Sequence, residues 1–152
     1  MISSSNFFRV RTGGDRFDKP IRFLNGRFDL KVSGRDTGGA WCAFDTFRTR
    51  PGGPPRHMHL AQDEWFVVVE GQFRFDVGGE NFEANPGDTV FGPRGVPHAF
   101  RNVSHSARLM VLFQPALTME EFFASEMLDP MSPEFAELSR AHGMEVVGPP
   151  LD

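Results

Sequence analysis

The chain has 152 residues, 39% of them hydrophobic and 24% charged, with a formal net charge of -4 at pH 7. That length suits one domain with a real core, and the mild acidity, without any basic stripe or cluster, excludes nucleic acid as an expected partner. A single cysteine, Cys42, excludes an internal disulfide framework, and no apolar run approaches the length of a membrane span.

The opening stretch MISSSNFFRVRTGG lacks the apolar core of a secretory signal, so cytoplasmic residence is expected. Sixteen glycines and twelve prolines favour many short strands joined by turns over long helices. Residues 1–26 carry little periodicity. Asn25-Gly26 is a turn signal, residues 28–32 alternate as a short strand, and Gly38-Gly39 ends a loop. Residues 41–47 (WCAFDTF) read as a second strand with mixed faces. Cys42, among aromatics, is a small buried hydrophobe. Residues 51–55 form a rigid approach, too rich in proline for a central strand.

The approach delivers two histidines and a glutamate. His57 and His59 are one residue apart, so on a strand both imidazoles project from the same face. Residues 60–63 make a tight connection, and Glu64 opens a strand over 64–70, rich in aromatic and β-branched residues, that returns it beside the histidines. Two imidazoles and a carboxylate are a ligand set for non-haem iron, and they also suit zinc, nickel, copper or manganese. By itself a histidine pair on a strand is mostly surface or packing chemistry.

Past Gly71, residues 72–77 alternate with Phe73, Phe75 and Val77 on one side, Gly78-Gly79 turns, and residues 81–84 return. Pro86-Gly87-Asp88 turns again into a strand over 89–91. Strand and turn alternate in this way through residue 113, which predicts an all-β sandwich or barrel. Pro93, Gly95 and Pro97 shape a turn that places His98 at the start of the next strand as a third imidazole. His57, His59, Glu64 and His98 would fill four positions of an octahedral ion, leaving up to two for water, oxygen or substrate. Phe66, Phe75 and Phe100 share an inward parity near these ligands and are candidate walls of a substrate pocket, whereas Trp65 faces away. His105 reads as a solvated turn residue.

These stretches resemble the two motifs of the cupins, small jelly-roll β-barrels. The first is histidine, any residue, histidine, three or four residues, glutamate, six residues, glycine, matched by His57, His59, Glu64 and Gly71. The second runs through Gly87, Pro93, Gly95, His98 and Asn102 at every spacing. One departure is Pro51, next to Gly52, where the first motif usually opens with glycine; no ligand is affected. The resemblance implies a single cupin barrel over residues 1–115, with core motifs at 53–71 and 87–102, and one divalent transition-metal ion per chain (Fe, Ni, Mn, Cu or Zn).

The tail, with LTMEEFFASEML and GPPL, resembles small quercetin dioxygenase-like cupins. Thr118 and Glu121 form a capping box, predicting a helix over 119–128. Ser132-Pro133 starts a second helix that reaches about His142, at its C-terminus, and stops at Gly143. Residues 116–152 are thus expected as a helical extension, with Phe122, Phe123, Met127, Phe135 and Leu138 packing it on the barrel.

The resemblance implies a metal-dependent dioxygenase acting on a small aromatic or enol-bearing substrate with dioxygen. In such enzymes the metal glutamate also takes the substrate proton, a role that falls to Glu64. A non-catalytic small-molecule-binding cupin and a metal-assisted isomerase or lyase are the alternatives. The chain has no tyrosine, which excludes the tyrosine acid of related sugar-nucleotide epimerases and the cysteine-tyrosine crosslink of some thiol dioxygenases. A single motif pair contrasts with the two of most oxalate decarboxylases. Homodimerisation is the family habit and would cover an open sheet edge.

Overall fold

The structure, a computed structural model, describes residues 7–152; residues 1–6, the start of the stretch that lacks the apolar core of a secretory signal, lie outside it. Its order is β1 (Ile21–Phe23), β2 (Gly26–Val32), β3 (Cys42–Arg48), β4 (His57–His59), β5 (Asp63–Glu70), β6 (Phe73–Val77), β7 (Glu80–Ala84), β8 (Thr89–Gly92), β9 (His98–Asn102) and β10 (Ala107–Gln114). Two helices, α1 (Met119–Phe123) and α2 (Pro133–Ala141), and a last strand, β11 (Met144–Val146), complete it.

The strands make two antiparallel sheets, in the orders β1-β2-β3-β10-β5-β8 and β11-β4-β9-β6-β7. Period-2 alternation explains which faces meet. On β10, Ala107, Leu109, Val111 and Phe113 are buried while the residues between them are not. On β5, Glu64, Phe66 and Val68 point inward and Trp65 outward. The mixed faces of β3 resolve with Cys42, Phe44, Thr46 and Arg48 turned to the interior, between β2 and β10. Burying one phenylalanine side chain contributes about 1.5–3 kcal/mol, and Phe44, Phe66, Phe73, Phe75 and Phe113 are all fully buried.

These aromatics form two groups. Phe66, Phe75 and Phe100 pack with ring centroids 5.1–5.5 Å apart. Phe23, Phe28, Phe44, Phe122 and Phe123 form the other, where α1 closes on the sheet. His98 lies 5.9 Å from Phe66 and His59 5.7 Å from Phe113, which packs on Phe44 and Phe123 of the second group, so the histidines sit between the two groups.

The structure departs from the sequence expectations in four places. First, residues 21–23 form β1, in a hairpin with β2. Second, α1 ends at Phe123 rather than near residue 128. Phe122 and Phe123 are buried, so a continuing helix would carry Glu126 and Met127 one turn later onto the same buried face. Instead Ser125 folds back, its Oγ donating to the Glu121 carbonyl, and Met127 is 50% exposed.

Third, the capping box does not form. Thr118 makes no cap bond, because its Oγ1 lies 2.7 Å from Nδ1 of His142, tying the start of α1 to the end of α2. Fourth, the tail returns as β11 and pairs with β4. The Ser132 cap is present, accepting from the amide of Phe135 with Pro133 in the first turn.

Candidate metal centre

The approach to β4 squeezes past β9. A Cβ on Gly53 would lie 1.8 Å from the carbonyl oxygen of Phe100, so only glycine lets the two segments come this close. The result sets His57 directly opposite His98 across the ladder, with ring centroids 4.5 Å apart. β11 covers the other side of β4, Val146 opposite His57 and Met144 opposite His59. Glu64 arrives from β5 in the other sheet, so three imidazoles on one sheet meet one carboxylate on its neighbour.

The four side chains offer one ligand atom each, and these atoms all lie within 4.8 Å of one another. Oε2 of Glu64 is 2.9 Å from Nε2 of His98 and 3.0 Å from Nε2 of His59. His59, Glu64 and His98 are buried, and His57 is half-buried.

Each imidazole is oriented through its other nitrogen. Nδ1 of His57 donates to the carbonyl of Pro55 at 2.8 Å, and Nδ1 of His98 to that of Val96 at 3.3 Å. A carbonyl only accepts, so in both rings the proton is on Nδ1 and the lone pair of the neutral form is on Nε2. His59 reaches the same state through Gln62. The Gln62 amide nitrogen donates to the carbonyls of Pro115 and Ala116, which turns its Oε1 towards Nδ1 of His59 at 2.8 Å. Such partners fix ring orientation and tautomer at metal sites.

Electrostatics prepare the group for a cation. Burial, together with neighbouring His98 and His59, pushes His57 down to about 3, so it is neutral near pH 7. Burial opposes the charge of Glu64, but its close contacts with His59 and His98 outweigh it and hold the carboxyl well below the usual range. Burial lowers His98, and its contact with Glu64 more than offsets this and raises it. Nε2 of His59, moreover, is buried, and among the described residues the Oε2 of Glu64 at 3.0 Å is its polar neighbour, without the alignment of a hydrogen bond. Three imidazole nitrogens, one of them orphaned, and a carboxylate oxygen are donors that fit a divalent transition-metal ion.

His57, His59 and Glu64 open onto a cavity of about 60 Å³. Phe100 is among its walls, whereas Phe66 and Phe75 lie behind, fully buried against Phe100. Arg48 also lines the cavity, 3% exposed. Its Nη1 donates to Thr46 Oγ1, and its buried Nε has no partner among the described residues.

Sequence reasoning missed Gln62 and Arg48. The three-residue offset from His59 was the only hint of Gln62, and the arginine is disguised by five others between residues 22 and 56. Of the other residues considered, His105 and Trp65 are exposed. Burial pushes the Cys42 thiol up to about 12, and His142 caps α2.

Residues 46–114 match the cupin domain family. An uncharacterized protein of Streptomyces coelicolor is 40% identical over 55 residues, which is 36% of this chain and 52% of that protein. Quercetin 2,3-dioxygenase of Bacillus subtilis is 30% identical over 91 residues, 59% of this chain and 27% of that enzyme. The chain spans about half the length of the first curated relatives it matches. Among solved structures, KdgF from Halomonas sp. superposes with a TM-score of 0.58 at 19% identity, over 66% of this chain and 89% of that one, a likeness of fold. No helix among the described residues is long and apolar enough to cross a membrane.

Proposed function

Since residues 46–114 form a cupin domain, we propose that His57, His59, Glu64 and His98 hold one divalent transition-metal ion and that the protein is a metal-dependent dioxygenase of small enol-bearing or aromatic substrates. The observation that carries this is the convergence of four ligand atoms within 4.8 Å at the wall of an apolar cavity. The partial likeness to quercetin 2,3-dioxygenase supports the reaction class.

Such an ion supplies Lewis acidity to a substrate oxygen and, where redox-active, electrons to dioxygen. The chain supplies the rest. Proline and phenylalanine walls exclude water, which strengthens every charge interaction inside. Both histidine contacts of Glu64 fall on Oε2, so Oε1 is the atom placed to take the proton of a substrate hydroxyl. The cavity, near 60 Å³, is far below the roughly 300–1,000 Å³ of drug-sized pockets, which favours substrates smaller than a flavonol.

In this reading residues 1–115 are the barrel unit and residues 116–152 its cover, and two copies of the chain pair as a homodimer. Metal per chain, measured on untagged protein and on His98→Ala, tests the site. About one ion per chain, lost in the variant, is expected, followed by oxygen uptake with small enols. No ion after reconstitution would sink the reading, and ligand binding without turnover in air would make the protein a binding module.

A further inference from the structure

Arg48 has no role in the arrangement so far. It is a cation on an interior strand position, surrounded by the rings of Phe28, Phe73 and Phe100 at 5.6–5.8 Å from its guanidinium carbon. Five other arginines among the described residues meet a carboxylate directly: Arg16 with Asp36, Arg27 with Asp29, Arg56 with Asp76, Arg94 with Asp63 and Arg108 with Asp45. Among the described residues Arg48 hydrogen-bonds only a hydroxyl, and its Nε has no partner. A buried charge without a counter-charge is costly and is normally paired.

Glu64 is the one carboxylate among the residues lining this cavity. If it is committed to a divalent ion with three neutral imidazoles, that group carries a net charge of +1, and Arg48 adds another. An apolar cavity holding two positive charges and no free anion calls for an anionic ligand. A guanidinium with an unused N–H edge matches a carboxylate in both plane and spacing.

We propose that Arg48 is a carboxylate subsite, so that the substrates of this cavity are small organic acids whose second oxygen reaches the metal group. This deepens the metal-centre reading and rests on it for the second positive charge. It also narrows the substrate class from enols and aromatics in general to acids among them.

The test compares each acid with its neutral amide, pyruvate with pyruvamide and benzoate with benzamide, by calorimetry on metal-loaded and on chelator-treated protein. At least one acid is expected to bind the loaded protein roughly ten- to a hundredfold tighter than its amide. In Arg48→Met the preference should fall to within about twofold, while metal per chain stays unchanged; in Arg48→Lys, which keeps the charge and loses the fork, part of it should remain. Removing an unpaired buried charge should leave the melting temperature of Arg48→Met equal or higher. Equal binding of acids and amides by the native protein would overturn the subsite, as would a preference that survives in Arg48→Met. A variant that melts far lower or fails to fold would mark Arg48 as structural and overturn it too. Failure of the metal reading shows separately, as absence of bound ion in the native protein.

Discussion

Gln62 shows how much of a site can rest on one neutral side chain. It bridges His59 to two carbonyls at the end of β10, across a cis peptide between Gln114 and Pro115. Gln62→Leu removes the acceptor at Nδ1 of His59, freeing the ring to turn and to take the other tautomer. Loss of such a partner typically costs 10–100-fold in metal affinity, so the variant should bind metal within about that range more weakly while keeping its fold. Competitive chelation monitored alongside circular dichroism would read both; unchanged affinity would show that the cavity walls alone hold the ring. The four proposed ligands were legible in the sequence because a two-residue spacing on a strand and two spaced motifs both constrain them. Gln62 and Arg48 were not: Gln62 acts on a partner 53 residues away, at Pro115, and only the fold buries Arg48 among Phe28, Phe73 and Phe100.

At the scale of elements, strands were legible and the tail was not. The strands from β5 to β8 declare themselves by alternation between turn residues, each within a residue or two of its expected span, and β9 begins at His98 as expected. β11 has three residues and no period to detect, and α1 is cut short by the burial of adjacent phenylalanines rather than by any local stop signal. The element that matters most for the site is β4, only three residues long and held between β9 and β11. Its position depends on the close passage of Gly53 over Phe100. In Gly53→Ala the new methyl cannot coexist with that carbonyl oxygen, so β4 must move away from β9 and take His57 and His59 off Glu64 and His98. The expected outcome is a loss of most bound metal, with a destabilisation of about 1–3 kcal/mol for an overpacked site. Metal content and urea denaturation check it, and full metal occupancy would show that β11 can re-seat the strand.

For the whole molecule, the outer surface of the larger sheet carries the next question. Phe91 on β8 stands opposite Trp65 on β5, which stands opposite Leu112 on β10 and then Ala43 on β3, an apolar row crossing four strands. Trp65 is 41% exposed and Phe91 56%, and among the described residues β8 is a sheet edge with no further strand beside it. Exposed aromatics beside an open edge are an aggregation hazard unless a partner covers them, and a second copy of the same row is self-complementary about a two-fold axis. The proposed homodimer therefore should pair through this face. Light scattering on the native protein is expected to give twice the 17.1 kDa chain mass, and Trp65→Lys, placing a charge at the centre of the row, should shift it to the monomer. Because Trp65 points away from Glu64, metal content should survive that substitution. A native protein that is already monomeric would instead leave the aromatic row as surface for some other partner and remove the dimer from the functional account.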